Sequence, residues 1–291
     1  MSRRRPVVDT KEPWAAQTVI RPRSWRKRGE SDVVSDNAHR LTQIRVRIRR
    51  STMAIQALSD AARGAHFLCS YFALLPLVNR RFLRAWATDG PAAARTVHRL
   101  HGDRALAIAG AEVLIEGEHH LPAGGCVLVY NEASLLDLVL LNRYVYEHAD
   151  VGVGAEVFAK FPWSREAFSK AGIVIFQRGD RSAAERMLNA VTQRVAQGAK
   201  LAMGGEGRLS RDGSVGHFKR GGCLVAIRAG VPVVPVALAG SPSMMPVGSL
   251  RLKPGKLRVS YGEPVSTEGW SAAQADQLAA HVRGRVVALR Q

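Results

Sequence analysis

One stretch decides how the chain folds: Cys126-Val127-Leu128-Val129-Tyr130, followed by Asn131-Glu132-Ala133-Ser134-Leu135-Leu136-Asp137. The first five residues predict a buried strand, and the apolar periodicity of residues 138–146 predicts a helix. A strand that ends in a polar turn before a helix places side chains and free backbone N–H groups at the rim of a parallel sheet, where ligands usually bind. A second interpretation stays open, because Ser134 followed three residues later by Asp137 is also a capping-box pattern.

The rest of the chain alternates strand and helix patterns. Short β-rich runs occur at residues 112–116, 126–130, 151–154, 173–176, 200–203, 233–238 and 257–261. Helical patterns occur at about 134–147, 156–170, 181–197, 219–229 and 271–290. This alternation predicts an α/β fold with a largely parallel, covered sheet of about seven strands, in one domain over residues 91–291.

The N-terminal third has a different composition. Residues 1–38 are basic and interrupted by prolines, and we expect a flexible tail. Residues 39–90 contain apolar residues at helical spacing between arginines, and then the apolar run 65–78. The segment 39–90 is expected to form membrane-associating helices, and two interpretations of residues 41–83 stay open: helices packed on the domain, or a membrane-surface anchor with its apolar face in the headgroup region. The run 65–78 is too short to span a bilayer, and Pro76 is expected to bend or end it.

The charge of the chain indicates an anionic partner. Its formal net charge is +18, and residues 1–50 contain 14 Lys and Arg against 5 Asp and Glu. An acidic membrane surface, a phosphorylated substrate or nucleic acid would each fit such a charge. Because the excess is concentrated at one end and no recognition motif with interleaved aromatic residues occurs, we expect no nucleic-acid partner.

Cysteine spacing and apolar segments limit the compartment. Cys69, Cys126 and Cys223 are far apart and show no zinc-ligand spacing, so neither a metal site nor a disulfide framework is expected. We therefore expect the protein to occupy a reducing compartment. No apolar core follows the N-terminal arginines, and no uninterrupted apolar stretch reaches the length of a membrane span. We therefore expect no secretory signal and no transmembrane helix.

Three further segments place polar residues or tight turns just after a strand. Residues 172–179 deliver Arg178 to the end of a strand, residues 203–211 form a glycine-rich turn with one acid and two arginines, and residues 231–238 form a Val-Pro-rich strand. Because the ends of parallel strands meet at one edge of a sheet, these segments are expected to converge on the 131–137 turn.

In this order and spacing, the four segments resemble the glycerolipid acyltransferase family that includes the 1-acylglycerol-3-phosphate acyltransferases. The resemblance covers roughly residues 108–240, with Phe218-Lys219-Arg220-Gly221 at the expected place after the third motif. The matching residues are Asn131, Ser134 and Asp137 in the first motif, Arg178 in the second, Glu206, Gly207 and Ser210 in the third, and 231–236 in the fourth.

The resemblance implies a glycerol-3-phosphate acyltransferase-like fold and O-acyl transfer from acyl-CoA or acyl-carrier protein to a lysophospholipid-like acceptor, with no metal or redox cofactor. It implies a peripheral protein on the cytoplasmic side of an acidic membrane surface. Catalysis is expected to use Glu132 and Asp137. The residues expected to bind the substrate and its phosphate are Asn131, Ser134, Arg178, Glu206, Gly207, Arg208, Ser210 and Lys219, with Arg211 nearby in the same turn.

The chain departs from the family pattern at its catalytic position. Glu132 stands where the family has histidine, and Gly205 and Arg208-Leu209 replace Pro and Thr-Arg. An ordinary Glu has a pKa of about 4.3 against about 6.5 for His, so it is the weaker base near neutral pH. Burial and the Asp137 carboxylate would raise one pKa of the pair.

Three hypotheses for Glu132 remain open. It is a working base in a variant enzyme, the mark of a non-catalytic relative that binds acyl or phospholipid ligands, or an engineered substitution. A base from elsewhere in the chain is a further possibility, for which the candidates are His119, His120, His148 and His217, the last being nearest to the third motif.

Overall fold

The computed structural model describes residues 30–176 and 179–291, and the chain forms two compact units, 1–53 and 54–291. Helix α1, Glu30–Leu68, begins in the first unit, so the expected boundary between residues 38 and 39 falls inside a helix. The remainder of the expected tail, residues 1–29, lies outside the described residues.

Seven strands, counted over the described residues, form one sheet. They are β1 (Ala111–Glu116), β2 (Cys126–Tyr130), β3 (Val151–Ala155), β4 (Ile173–Phe176), β5 (Lys200–Gly204), β6 (Val233–Ala239) and β7 (Gly255–Tyr261). The strand order is β1-β7-β6-β2-β5-β3-β4. All neighbours pair in parallel except β6 and β7, which are antiparallel. The predicted α/β class and largely parallel sheet are confirmed.

Strand β2 lies at the centre of the sheet and is buried at all five positions. Apolar clusters cover the sheet on both faces, one including Phe67, Tyr71 and Leu136, the other including Val191, Val225 and Val282. Because helices cover both faces, the strand has no solvated side, which explains its uninterrupted apolar run. The turn that follows it therefore begins in the core.

The helices after α1 are α2 (Leu75–Asp89), α3 (Pro91–Ala109), α4 (Leu135–Leu140), α5 (Glu156–Ala159), α6 (Ser164–Lys170), α7 (Arg181–Ala196), α8 (Gly221–Ala229), α9 (Ser241–Met244) and α10 (Ala275–Leu289). The helix predicted over 156–170 is divided, because Pro162 cannot continue α5 and Trp163 adopts a left-handed φ of 62°. The helix predicted over 134–147 relaxes after α4 into a π-helical turn, Leu141–Val145, and a 3₁₀ turn, Tyr146–His148.

The N-terminal helices differ from expectation in length. Pro76 lies in the first turn of α2, where its missing N–H is tolerated, and a π-helical turn, Cys69–Ala73, connects α1 to this region. By length and composition alone, the helical stretch Ser51–Asp89 is long and apolar enough to cross a membrane, since it contains an 18-residue segment with a mean hydropathy of 1.3. The sequence predicted that no uninterrupted apolar stretch is this long, and the stretch Ser51–Asp89 is interrupted by charged residues such as Asp60 and Arg63. Core helices of soluble proteins and signal sequences satisfy the same criterion, so the finding is weak evidence for a membrane span.

Candidate active site

Asn131, directly after β2, connects the end of this strand to its neighbour β6 through its side chain. Its Nδ2 donates to the Leu238 carbonyl at 3.0 Å, and the Leu238 N–H donates to its Oδ1 at 2.9 Å. The side chain is fully buried. Asn131 was predicted to bind substrate; in the structure each polar atom of its side chain pairs with the Leu238 backbone, and a contact with substrate stays a prediction.

Ser134 and Asp137 form the capping box that was one interpretation of this turn. The Leu136 N–H donates to Ser134 Oγ at 3.2 Å, and the Ser134 N–H donates to Asp137 Oδ2 at 2.9 Å. The Ser134 hydroxyl itself donates to the Met245 carbonyl at 2.7 Å. Both side chains are fully buried. Ser134 thus serves helix initiation and attachment to the loop after α9, and its contact with substrate stays a prediction.

Asp137 is held by its own turn. Its Oδ2 also accepts from the Ala133 N–H at 2.6 Å. Burial raises the pKa of Asp137 to about 6, against the opposing effects of the Ser241 hydroxyl and the two N–H donors. Asp137 Oδ1 and Ser241 Oγ are buried and have no partner of normal hydrogen-bond geometry among the described residues. Asp137 is thus a carboxyl group that changes protonation near neutral pH, behind the turn that carries Glu132.

Glu206 connects the glycine-rich turn to Glu132. Its Oε2 accepts from the Glu132 N–H at 3.0 Å and its Oε1 accepts from the Gly216 N–H at 3.1 Å. Burial raises the pKa of Glu206, and these two N–H donors oppose the shift. Glu206 was predicted to bind substrate, but its two oxygens hold backbone, so its visible role is to position Glu132.

The turn 204–211 clamps Glu132 a second time. The Ser210 N–H donates to the Glu132 carbonyl at 2.8 Å, and the Gly205 N–H donates to the Tyr130 carbonyl at 2.8 Å. The Ser210 hydroxyl donates to Asp212 Oδ1 at 2.8 Å. Ser210 therefore contributes its backbone to the site, while its predicted substrate-binding hydroxyl already has a partner.

The Glu132 side chain lies against a glycine. A Cβ placed on Gly204 would approach Glu132 Oε2 to 2.9 Å, so the carboxylate occupies the space that a side chain at position 204 would need. At the next position, a Cβ on Gly205 would meet the ring of Phe218 at 2.6 Å. The two glycines thus serve different purposes: Gly204 makes room for Glu132, and Gly205 makes room for the core.

Glu132 lines a cavity of about 420 Å³, within the range of about 300–1,000 Å³ usual for small-molecule sites. The cavity wall is mostly apolar and comes from the π-helical turn 69–73, helices α2 to α6 and strands β3 to β5. Its apolar members include Phe72, Leu75, Leu138, Leu141, Val153, Val157, Phe158, Phe168, Ile173, Met203 and Leu209. A carboxylate at the carboxyl ends of β2 and β5 thus opens onto a pocket suited to a hydrocarbon chain.

Two tyrosine hydroxyls also lie near Glu132. Tyr130 and Tyr146 line the cavity, and their hydroxyl oxygens are 3.0 Å apart, within hydrogen-bond distance. Burial is the largest cause that raises the pKa of both phenols, and the negative charge of Glu132 raises them further. Both phenols stay protonated at neutral pH and are potential hydrogen-bond donors beside the carboxylate.

The histidines predicted as alternative bases do not line this cavity. His120 Nδ1 lies 2.8 Å from the Tyr261 carbonyl, His148 Nε2 lies 2.9 Å from Glu118 Oε1, and His119 and His217 are exposed. The cavity is instead lined by His98 and His101 of α3, neither of which was predicted as a site residue. Their spacing of three residues on a helix was the available signal, since it places both on one face.

The predicted phosphate-binding residues lie beside the glycine-rich turn or cannot be placed. Gly207 lines the cavity in a left-handed conformation, φ 68°, with the Lys219 stem 3.6 Å from the position of a Cβ. Arg208, Arg211 and Lys219 are exposed, and none forms an ion pair with a described residue. Arg178 lies outside the described residues. No group of three or more potential metal ligands occurs among the residues that the structure describes.

Residues 112–239 match the protein family described as Acyltransferase. This stretch, which runs from β1 to β6, is an Acyltransferase family domain. The chain is 32% identical over 176 residues to the 1-acyl-sn-glycerol-3-phosphate acyltransferase BAT2 of Brassica napus. This alignment covers 59% of the present chain and 49% of the Brassica protein. It is 27% identical over 176 residues to the 1-acyl-sn-glycerol-3-phosphate acyltransferase of Limnanthes douglasii, in an alignment that covers 60% of the present chain and 62% of the Limnanthes protein.

The acyltransferase fold is also that of a solved relative. The 1-acyl-sn-glycerophosphate (LPA) acyltransferase PlsC from Thermotoga maritima superposes with a TM-score of 0.66 at 23% identity, covering 80% of this chain and 95% of that one. The chain spans about half the length of the first curated acyltransferases it matches. The family predicted from the four motifs is confirmed.

Proposed function

We propose that this acyltransferase-family protein transfers a fatty acyl group from an acyl thioester to the hydroxyl group of a lysophospholipid-like acceptor. The observation that carries the proposal is the apolar cavity of about 420 Å³ lined by Glu132. It combines space for a hydrocarbon chain with a proton acceptor at the rim of the sheet. The relatives from Brassica napus and Limnanthes douglasii, named as 1-acyl-sn-glycerol-3-phosphate acyltransferases, support the same substrate class.

In the proposed reaction, Glu132 takes the proton of the acceptor hydroxyl as its oxygen attacks the thioester carbonyl carbon. The carbon–sulfur bond then breaks, and the thiolate receives the proton from Glu132. Glu is the weaker base at neutral pH, since its ordinary pKa is about 4.3. The two backbone clamps from Glu206 and Ser210 support this role, because a fixed base needs little reorganisation.

Asp137 is proposed to hold the backbone of the turn, whereas the family's aspartate is expected to orient the side chain of the base. Its Oδ2 holds the N–H groups of Ala133 and Ser134, so it fixes the turn that carries Glu132. Tyr130 and Tyr146 have neutral hydroxyl groups close enough to Glu132 for its negative charge to raise their pKa values. We assign Asp137 to positioning and Glu132 to proton transfer.

The acceptor phosphate is proposed to bind at the turn 204–211. Arg208, Arg211 and Lys219 are exposed there, and cationic donors suit phosphate oxygens. Arg178 remains a predicted further member of this group. The donor is proposed to be acyl-CoA or acyl-carrier protein. The reaction moves a proton and an acyl group without change of oxidation state, so we propose no metal or redox cofactor.

An acidic membrane surface on the cytoplasmic side is the proposed location, with the protein attached peripherally. Ile55, Leu58 and Leu77 expose 69%, 72% and 54% of their surface on the N-terminal helices. Exposed arginines, Arg80, Arg81 and Arg84, follow on α2. An apolar face beside cations suits the headgroup region of an anionic leaflet.

A second candidate is a non-catalytic protein that binds acyl chains or phospholipids. The observation that favours it is that Asp137 Oδ2 is occupied by backbone and that a carboxylate replaces the family's histidine. Transfer of radiolabelled acyl groups to lysophosphatidic acid by the full chain, Glu132→Ala and Glu132→His separates the two. Activity in the native chain that Glu132→Ala abolishes supports the enzyme. Activity only in Glu132→His identifies the binding protein, and equal activity in Glu132→Ala excludes Glu132 as base.

A further inference from the structure

Helix α10 contacts the segment that connects β5 to α8. Residues 205–220 of this segment form neither helix nor strand, so their backbone carbonyl groups need partners from elsewhere in the chain. Arg283 of α10 supplies two of these partners. Its Nε donates to the Gly216 carbonyl at 2.7 Å, and its Nη2 donates to the Val215 carbonyl at 2.7 Å. The proposed reaction does not use this arginine.

Arg283 holds backbone and no carboxylate. It forms no ion pair with a described residue. Its Nε also donates to the Val215 carbonyl at 3.2 Å, so two successive carbonyl groups share one planar guanidinium. Hydrogen bonds from a charged donor are stronger than those between neutral groups, and the rigid fork fixes the direction of both. The backbone at Val215 and Gly216 is therefore fixed relative to α10.

Helix α10 is itself anchored in the core. Its apolar face, which includes Val282 and Val286, is fully buried in the cluster on one face of the sheet. Two turns after Arg283, Arg290 donates through Nη2 to the Gly213 carbonyl at 3.1 Å. The helix thus holds the segment at two points and offers it a rigid support.

Gly216 connects this support to Glu206. Its N–H donates to Glu206 Oε1 at 3.1 Å, and a Cβ at position 216 would lie 3.3 Å from Glu206 Cγ. The backbone at Gly216 therefore lies directly against that side chain. The other oxygen, Glu206 Oε2, accepts from the Glu132 N–H at 3.0 Å. A continuous series of hydrogen bonds joins Arg283 to the backbone of Glu132.

We infer that Arg283 is a positioning residue for the proposed base Glu132 and acts on it through the backbone of Gly216. Glu206 is the link between the two. The inference rests on the proposed function for the role of Glu132 as a base. A base displaced by about 1 Å loses on the order of 100-fold in rate. Arg283 does not line the substrate cavity, so its loss should leave the binding of the acceptor unchanged.

Three variants of the full chain separate positioning from charge. Arg283→Met keeps the apolar stem but removes the donors, and we expect kcat to fall about tenfold or more with the KM for lysophosphatidic acid unchanged. Arg283→Lys keeps the charge and a donor but not the fork, and should recover part of the lost kcat. Arg285→Met is the matched control, because this exposed arginine of the same helix pairs with Glu263 at 2.9 Å. It should behave as the parent does.

Hydrogen–deuterium exchange, read by mass spectrometry, tests the connection without requiring acyl transfer. In Arg283→Met, the amide groups of residues 131–134 and 214–218 should exchange about five- to tenfold faster than in the parent. Strand β1 should be unchanged, and Arg285→Met should match the parent throughout. Thermal unfolding followed by circular dichroism checks the folding of each variant. If Arg283→Met does not fold, Arg283→Lys provides the same comparison with a smaller expected effect.

Unchanged exchange at residues 131–134 would overturn the inference, because the hydrogen bonds would then hold only the local segment 214–218. So would a raised KM with an unchanged kcat, or an equal loss of kcat in Arg285→Met. A parent that transfers no acyl group rejects the proposed function, and faster exchange at both segments then keeps Arg283 as a support of the turn. An active parent whose kcat and exchange survive Arg283→Met rejects the inference and keeps the function.

Discussion

Glu206 Oε2 accepts a hydrogen bond from the backbone N–H of Glu132 at 3.0 Å, joining two glutamates that are 74 positions apart in sequence. The same carboxylate accepts from Gly216 through its other oxygen. Glu206→Gln leaves one of these N–H groups facing an amide NH₂ instead of an acceptor. We expect a loss of about 1–3 kcal/mol in the free energy of unfolding and a lower kcat, measured by urea titration and acyl transfer. Unchanged stability would show that the two hydrogen bonds do not hold the turn.

Gly204 and Gly205 should respond differently to the same substitution. Gly204→Ala pushes against Glu132 Oε2, so we expect kcat/KM to fall on the order of 10- to 100-fold with little change in stability. Gly205→Ala pushes against the buried Phe218 ring, so we expect it to cost about 1–3 kcal/mol of stability. Acyl-transfer kinetics and urea unfolding on both variants check the contrast. Two variants with the same profile would contradict it.

The stability of the protein should depend on pH through Asp137. Its pKa is about 6 in the folded protein against an ordinary value of 3.8, so the folded state binds more protons between these values. Asp137→Asn keeps an acceptor but cannot ionise. The parent should therefore gain stability relative to Asp137→Asn as the pH falls from about 7 to about 4, by roughly 2 kcal/mol.

Urea unfolding of both proteins at pH 7.5 and pH 4.5 measures this difference. Asp276→Asn, at an exposed acid on α10, controls for the loss of one negative charge. A difference between the parent and Asp137→Asn that does not change with pH would refute the assignment.

Asn131 should matter for stability whether or not it also contacts substrate. Asn131→Ala leaves the N–H and C=O of Leu238 unpaired in a fully buried place. We expect a cost of about 2–4 kcal/mol, read from the midpoint of urea unfolding. A loss of activity without a loss of stability would instead support the substrate-binding role first predicted for it.

Lys219 provides a test of the proposed phosphate site. Lys219→Ala should raise the KM for lysophosphatidic acid about tenfold or more, because a charge-assisted hydrogen bond to phosphate is lost. Arg228→Ala is the control, since this exposed cation lies at the opposite end of α8. Equal effects of the two variants would indicate general attraction of an anionic lipid surface and no specific contact.

The frame of the fold was predictable because it depends on short-range patterns. Each of the seven strands over the described residues coincides with a predicted β-rich run, and the capping box of Ser134 and Asp137 was readable from their spacing. The family followed from four motifs, none of which alone identifies it. Short apolar runs between turn residues leave few alternatives in a doubly covered sheet.

The wall of the cavity was not predictable in the same way. His98 and Asn79 belong to helices α3 and α2, and only the packing of α2 against α6 and of α3 against the π-helical turn 141–145 brings them to one cavity with Glu132. The roles of Asn131 and Glu206 were missed for a related reason. A polar side chain at a strand end suits ligand binding or backbone pairing equally well, and the choice depends on partners such as Leu238 and Gly216, which are distant in sequence.

The absence of a side chain at Gly204 also couples two positions of the site. Glu132 Oε2 lies where a Cβ at position 204 would approach it to 2.9 Å, so a larger residue at position 204 would require the Glu132 carboxylate to move. The room for the proposed base thus comes from a residue of the neighbouring strand β5. A substitution on that strand can therefore shift the carboxylate while position 132 itself stays unchanged.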